Sequence, residues 1–196
     1  AAIDIAGGDV TQLNLTSGGG ITDSGQITVS NGATLTADAA DQDIVMDQID
    51  VTGGSIGLTT SGTGLATIDN ASAVDLATPT VGDALSVTAA GTITQSGALT
   101  VGGTSSFATS GDDQAITLDN TSNALSGTVD FSTNTAGTEA GHVTIDNGTT
   151  TLDLGTSGIQ GDLSVTAGDA VTQSGPLTVA GAADVTTDVD DKEITL

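Results

Sequence analysis

The 196-residue chain has no cysteine, tryptophan or tyrosine, only two phenylalanines (Phe107 and Phe131), and a single Lys or Arg, Lys192. Without cysteine there are no disulfides, no thiolate chemistry and no thiolate metal site. Large aromatics normally supply much of a globular core's buried area, so their scarcity argues against a broad core. The apolar material is almost all Ile, Val, Leu and Ala, enough for thin aliphatic stripes. With 25 acidic residues the formal net charge is −24. A nucleic-acid binder needs cations to neutralise phosphates, so that function is excluded, and anionic membrane surfaces repel such a chain. No apolar run approaches the roughly 18 residues of a membrane-spanning helix, so no membrane insertion is expected. Near absence of Lys and Arg leaves almost no trypsin-type cleavage sites, which suits an extracellular location. The chain starts at Ala1-Ala2-Ile3 with no secretion signal and stops at Ile194-Thr195-Leu196. Both ends read as cut from something longer, or as ends that meet other copies.

What is present is repetition. Leu85-Ser86-Val87-Thr88 recurs as Leu163-Ser164-Val165-Thr166, an offset of 78 that continues without a gap. Ile93-Thr94-Gln95-Ser96-Gly97 thus matches Val171-Thr172-Gln173-Ser174-Gly175, and Ile116-Thr117-Leu118 matches Ile194-Thr195-Leu196. A third copy, 72 residues upstream, holds Ile21-Thr22-Asp23-Ser24-Gly25 and Ile27-Thr28-Val29. Inside this long period, strand-like tetrads begin at Ile21, Ile44, Ala66, Ile93, Ile116, Val143, Val171 and Ile194, 22 to 28 residues apart. Gly, Ser, Asn and Asp turns divide each interval into about three short strands.

Apolar residues two apart share one face of a strand. A coil of three such strands cannot bury its inner face alone, but stacked coils close the core above and below. The chain therefore reads as one all-β segment over 1–196, a parallel β-helix solenoid of about eight rungs of three short strands. Three-rung units fall near 13–84, 85–162 and 163–196, the last partial. Thr, Ser, Gly and Asn are poor helix formers, which disfavours helical solenoids. A pair of immunoglobulin-like sandwiches is the other fold weighed; the sub-period near 23 and the missing Trp count against it.

The string from Leu85 to Val101, with Val171 to Val179 and Ile116-Thr117-Leu118-Asp119-Asn120, resembles repeats of filamentous-haemagglutinin-type proteins of the two-partner secretion class. The resemblance spans about Leu13 to Leu196. It implies a right-handed shaft belonging to a secreted bacterial surface adhesin. The family's secretion domain has no counterpart here, and the acidity departs from heparin-binding members.

Individual residues add little chemistry. His142, the one histidine, lies at a turn and lacks partners for a triad; a structural role is expected. Asp pairs Asp41/Asp43, Asp112/Asp113 and Asp190/Asp191 precede equivalent tetrads and are expected on one side of the rod. Their hard oxygens suit Ca²⁺, while solvated turn-forming Asp is the plainer account. Asn-x-Ser/Thr sequons stand at Asn14, Asn70, Asn120 and Asn147. The last three share a register after tetrads and are candidate glycosylation sites. Paired Asp could suggest a polysaccharide-active β-helix enzyme, but Arg, Tyr and Trp, which grip sugars, are missing. The expectation is a non-catalytic, extracellular, cell-surface structural shaft without a cofactor, calcium at the Asp pairs aside. Its partners are neighbouring repeats, copies stacked end to end, or a host or neighbouring-cell surface. An extracellular filament subunit is the second reading.

Overall fold

A computed structural model describes residues 1–134 and 141–196. Alternation of aliphatic and hydroxyl residues gives strands with an inner and an outer edge. In Leu85–Ala89, Leu85, Val87 and Ala89 are buried and Ser86 and Thr88 face outward. Ala33–Ala37 and Leu163–Ala167 follow the same pattern. β-branched side chains suit such half-buried surfaces.

All strand pairs among the described residues are parallel and join residues one coil apart, as in Ile3 with Ile21 and Ile21 with Ile44. Among the described residues one sheet has 14 strands and the other 12. The main path of the first sheet runs through ten strands, from Ile3–Ile5 to Ile194–Thr195, and so counts nine steps between coils. The protein is thus a parallel β-solenoid of about nine turns, without helix among the described residues. At ~4.8 Å per step the stack is about 43 Å long.

Inside, aliphatic residues form columns. Val74, Ile93, Ile116, Val143 and Leu163 stack in register along the second sheet. On the first sheet Val87, Phe107 and Phe131 do the same, and the two rings pack with centroids 6.0 Å apart. Both phenylalanines are among the largest fully buried side chains.

Each coil has two unequal sides. The narrow side is one short strand such as Leu85–Ala89; the broad side is two arms joined at a bend, such as Ile93–Gln95 and Thr100–Val101. The repeated Gln-Ser-Gly makes this bend. Gln95 Nε2 donates to Gly97 O at 2.7 Å, and Gln173 Nε2 to Gly175 O at 2.9 Å. Glycine is required there because an added Cβ on Gly97 would overlap the Ala77 carbonyl of the coil that precedes it in sequence.

The broad side does not stay on one sheet. It lies on the first sheet for residues 3–51, on the second for 74–125, and on the first again for 152–179. Two narrow strands follow one another at each exchange: Ile56–Thr59 then Ala66–Asn70, and Thr128–Ser132 then Val143–Asp146. The long repeat is therefore three and a half coils rather than three. Its copies occupy opposite sheets: Leu85–Ala89 belongs to the first, the identical Leu163–Ala167 to the second. This also explains why the seven intervals between the eight tetrads hold eight coil steps, the ninth being the coil from Ile3 to Ile21 ahead of the first tetrad. Ile21, Ile44 and Ala66 stack, but the residue stacked on Ala66 is Leu85; Ile93 sits half a coil further on, over Val74. The second exchange hides another half coil.

Candidate functional site

The two exchanges are where the sequence departs from simple repetition. At the first, the broad side ending at Val51 is followed by a narrow strand ending at Asn70. The backbone turns away, so Val51 would lose its partner for the next coil. The Asn70 side chain takes the place of that missing peptide. Its Oδ1 accepts from Val51 N–H at 2.6 Å, and its Nδ2 donates to Val51 O at 3.3 Å and Ala73 O at 2.9 Å. A primary amide carries the donor and acceptor of a peptide unit, so one buried Asn continues the ladder where the chain does not.

The second exchange repeats the device. Asn147 Oδ1 accepts from Leu125 N–H at 2.9 Å, and Nδ2 donates to Leu125 O at 3.1 Å and Thr151 O at 2.8 Å. Both asparagines have 0% exposure. Buried hydroxyls complete each junction on the other sheet. Thr60 Oγ1 donates to Gly64 O and accepts from Gly82 N–H; Thr133 Oγ1 donates to Gly141 O and accepts from Gln160 N–H. The signal in the sequence is Thr-Ile-Asp-Asn, at 67–70 and again at 144–147.

This geometry corrects two of the glycosylation candidates. Asn70 and Asn147 are enclosed, with amide and carbonyl both engaged, and offer no nitrogen to a glycan. Asn120 is half-buried in a turn in which its Oδ1 accepts from Ser122 N–H. Asn14 is exposed on a strand.

The acidic pairs do not share one side. Asp41 and Asp191 stand at corners leading into the first sheet, whereas Asp113 leads into the second. All three have left-handed backbones, with φ of 62°, 63° and 59°, which Asp tolerates better than most residues. Asp41 Oδ1 accepts from Thr63 N–H and hydroxyl, Asp43 Oδ1 from Leu65 N–H, and Asp112 Oδ1 from Asn134 Nδ2. These carboxylates pin a corner to its neighbour. Among the described residues no three acidic or histidine side chains group closely enough to hold an ion. The calcium expectation at Asp41, Asp43, Asp112, Asp113, Asp190 and Asp191 therefore finds no assembled ligand set. His142 Nδ1 accepts from Asp162 N–H at 2.9 Å, a link between coils.

The charge is arranged so that stacking is possible. Two carboxylates one rung apart would repel by about 1 kcal/mol in water, and by several at a lower effective dielectric. Among the described residues none of the paired strand positions sets two acids side by side: Asp4 meets Thr22, Asp69 meets Thr88, Asp75 meets Thr94, and Thr28 separates Asp9 from Asp50. Hydroxyls donate to several of these acids. Burial pushes the Asp153 carboxyl up, but the Ser174, Thr128 and Thr172 hydroxyls outweigh it and hold the pKa below the usual value. Thr63 likewise lowers Asp41. Asp23 is the reverse: burial raises it despite N–H donors from Gln48 and Asp47, which it fixes at an irregularity in strand Ile44–Val51. Lys192 Nζ lies 2.9 Å from Asp169, joining the last coil to the one before.

Residues 1–59, 62–132 and 140–196 each match the family described as repeats of unknown function (DUF5649), and the chain belongs to that family. The breaks between the matches fall at the two exchanges, so each match is one run of coils with its broad side on one sheet. No curated protein and no solved structure matches the chain.

Two outcomes follow from the junctions and the acids. Asn70→Ala and Asn147→Ala each leave a buried N–H and C=O unpaired and should cost about 2–3 kcal/mol; Asn14→Ala on the exposed strand should change stability by under about 0.5 kcal/mol, all read by urea unfolding. Asp153 has a folded pKa below its unfolded value of about 3.9. Its stabilisation is present above about pH 4 and is lost as pH falls through the lowered folded pKa. Asp153→Asn should therefore lower the midpoint at pH 7 and flatten its fall under acid.

Proposed function

We propose that the chain is a segment of the structural, non-catalytic shaft of a secreted bacterial surface fibre of the adhesin type. The observation that carries this reading is the unbroken stack of core columns and backbone ladders through both exchanges. Buried Asn and Thr side chains are committed to keeping the rod continuous, which is the requirement of a shaft. The lateral surface supports the same reading. It is built of hydroxyl residues interleaved with carboxylates, a wetted exterior that resists sticking to like-charged neighbours. A non-catalytic role fits the buried Asn70, Asn147, Thr60 and Thr133 side chains, which are spent on backbone partners at the junctions.

Solenoid coils leave strand edges unpaired only at their ends. In a longer adhesin, further coils of the same chain cover those edges; in the second reading, an extracellular filament, another copy does. The residues that repeat are internal to the stack in either case.

Antibodies raised against the chain should label intact cells of the source organism; labelling only after permeabilisation would contradict a surface shaft. The purified protein should show no turnover of acidic or neutral polysaccharides, and measurable cleavage would contradict the non-catalytic assignment.

A further inference from the structure

Asn-Gly occurs twice in the chain, at Asn31-Gly32 and at Asn147-Gly148. The dipeptide is chemically labile. A glycine has no Cβ to screen its backbone nitrogen or to restrict its rotation, so that nitrogen can reach the side-chain amide of the residue before it. Whether it does so depends on what holds the two groups, and the fold holds them differently at the two places.

Asn147 is enclosed. Its Oδ1 accepts from Leu125 N–H, and its Nδ2 donates to the Leu125 and Thr151 carbonyls. The Gly148 N–H donates to Asp146 Oδ1 at 2.7 Å, so the attacking nitrogen is engaged as well. Asn31 instead stands exposed at the corner between strands Ile27–Val29 and Ala33–Ala37. Among the described residues its carboxamide has no hydrogen-bond partner, and the Gly32 N–H has no acceptor. Gly32 has a left-handed backbone, with φ of 88°, and is tied to its neighbours through its carbonyl, which accepts from Leu13 N–H. In the third copy of the repeat the matching Ala182 N–H is anchored on Asp162 Oδ1 of the coil before. The residue one coil before Gly32 is Gln12, which supplies no such anchor.

We propose that Asn31 is a site of spontaneous modification by loss of its side-chain amide, and that the hydrogen bonds of the second exchange protect Asn147 from the same reaction. Hydroxide takes the Gly32 amide proton, and the nitrogen attacks Asn31 Cγ. The Cγ–Nδ2 bond breaks, the side-chain nitrogen leaves as ammonia, and a five-membered imide closes. Water then opens the ring at either carbonyl. One product is an ordinary aspartate at position 31, which adds a carboxylate to the corner. The other is its β-linked isomer, which adds a methylene to the backbone. The two sites also differ in what the reaction would remove. A carboxylate at position 147 has no donor for the Leu125 and Thr151 carbonyls, so the ladder across the exchange would be cut. At position 31 the side chain has no partner to lose. The reaction is open at an exposed corner and closed where continuity of the rod depends on the amide.

The test is to incubate the whole folded chain in warm, mildly alkaline buffer and map the converted amides by mass spectrometry after cleavage at acidic residues. A protein-isoaspartyl methyltransferase reports the β-linked product. Conversion is expected at Asn31, faster at higher pH. Asn147 should be slower by roughly tenfold or more, because its amide reacts only after local opening. In guanidinium both sites should convert at comparable rates, which assigns the difference to the fold. Asn31→Gln should abolish the methyl-acceptor signal of the folded chain and leave its urea midpoint unchanged. Equal conversion of Asn31 and Asn147 in the folded chain would overturn the protection. An Asn31 that stays intact while the unfolded chain converts, or a signal that survives Asn31→Gln, would overturn the modification site.

Discussion

In-register stacking of coils is the constraint on which everything else depends. A single coil of 18 residues, as from Ile3 to Ile21, has an inner face too narrow to hide its own aliphatic side chains. They leave water only when the next coil lies directly above with its Ile, Val or Leu in the same column. The same register pairs every strand's backbone groups with its neighbours, so hydrophobic burial and hydrogen bonding demand one geometry. The scarcity of aromatics follows: the space between columns suits branched aliphatics. Where rings do occur, Phe107 and Phe131 stack on each other in adjacent coils. The placement of charge follows too. In a chain with 25 acids the paired strand positions set Asp against Thr, Ser or Ile rather than against another acid, and Asp23, on which Asp47 of the next coil bears, has its pKa raised. Like charges separated by a hydroxyl rung stand about 9.6 Å apart, beyond the ~8 Å Debye length of physiological salt.

The exchanges show what happens when this constraint meets a repeat that is not a whole number of coils. Three and a half coils bring each new copy in on the opposite side. Every exchange then has one place where two strand arms are followed by one. A peptide group left there would be buried without a partner, a cost of about 1–3 kcal/mol for each orphan. Asn70 and Asn147 remove that cost with a side chain that imitates the backbone. The consequence for the molecule is that equivalent surfaces face opposite directions in successive repeats. A shaft of such repeats presents its broad side alternately left and right.

Much of this was legible in the sequence, because the parallel solenoid depends on a pattern that survives translation into one dimension. The alternation in Leu85–Ala89 and its copy at Leu163–Ala167, the Ser-Gly bends and the poor helix formers lead to strands, coils and a rod. Phase was not legible. The start of the next coil cannot be read from spacing where Ala66, Leu85 and Ile93 all open strand-like segments, and only three-dimensional register shows that Leu85, not Ile93, covers Ala66. For the same reason the acidic corners were expected on one side. Asn70 and Asn147 read as exposed turn residues because Asn-x-Ser/Thr is common in so hydroxyl-rich a chain. The clue that they differ from Asn120 is the full Thr-Ile-Asp-Asn string, which Asn120 lacks: Thr117-Leu118-Asp119-Asn120 carries Leu in place of Ile, and Asn120 stays half-buried.

The half-coil exchange is the central claim, and it is a statement about which strands touch. The chain has no cysteine, so introduced thiols report register without background. Thr67 and Ser86 are partners on adjacent strands, ~4.8 Å apart, whereas simple stacking of the sequence tetrads would set Thr67 beside Thr94. Rates of bridging by a short thiol-reactive linker should therefore be compared for Thr67→Cys with Ser86→Cys and for Thr67→Cys with Thr94→Cys. Rapid bridging of the first pair and none of the second is the predicted result; preferential bridging of Thr67 to Thr94 would contradict the exchange.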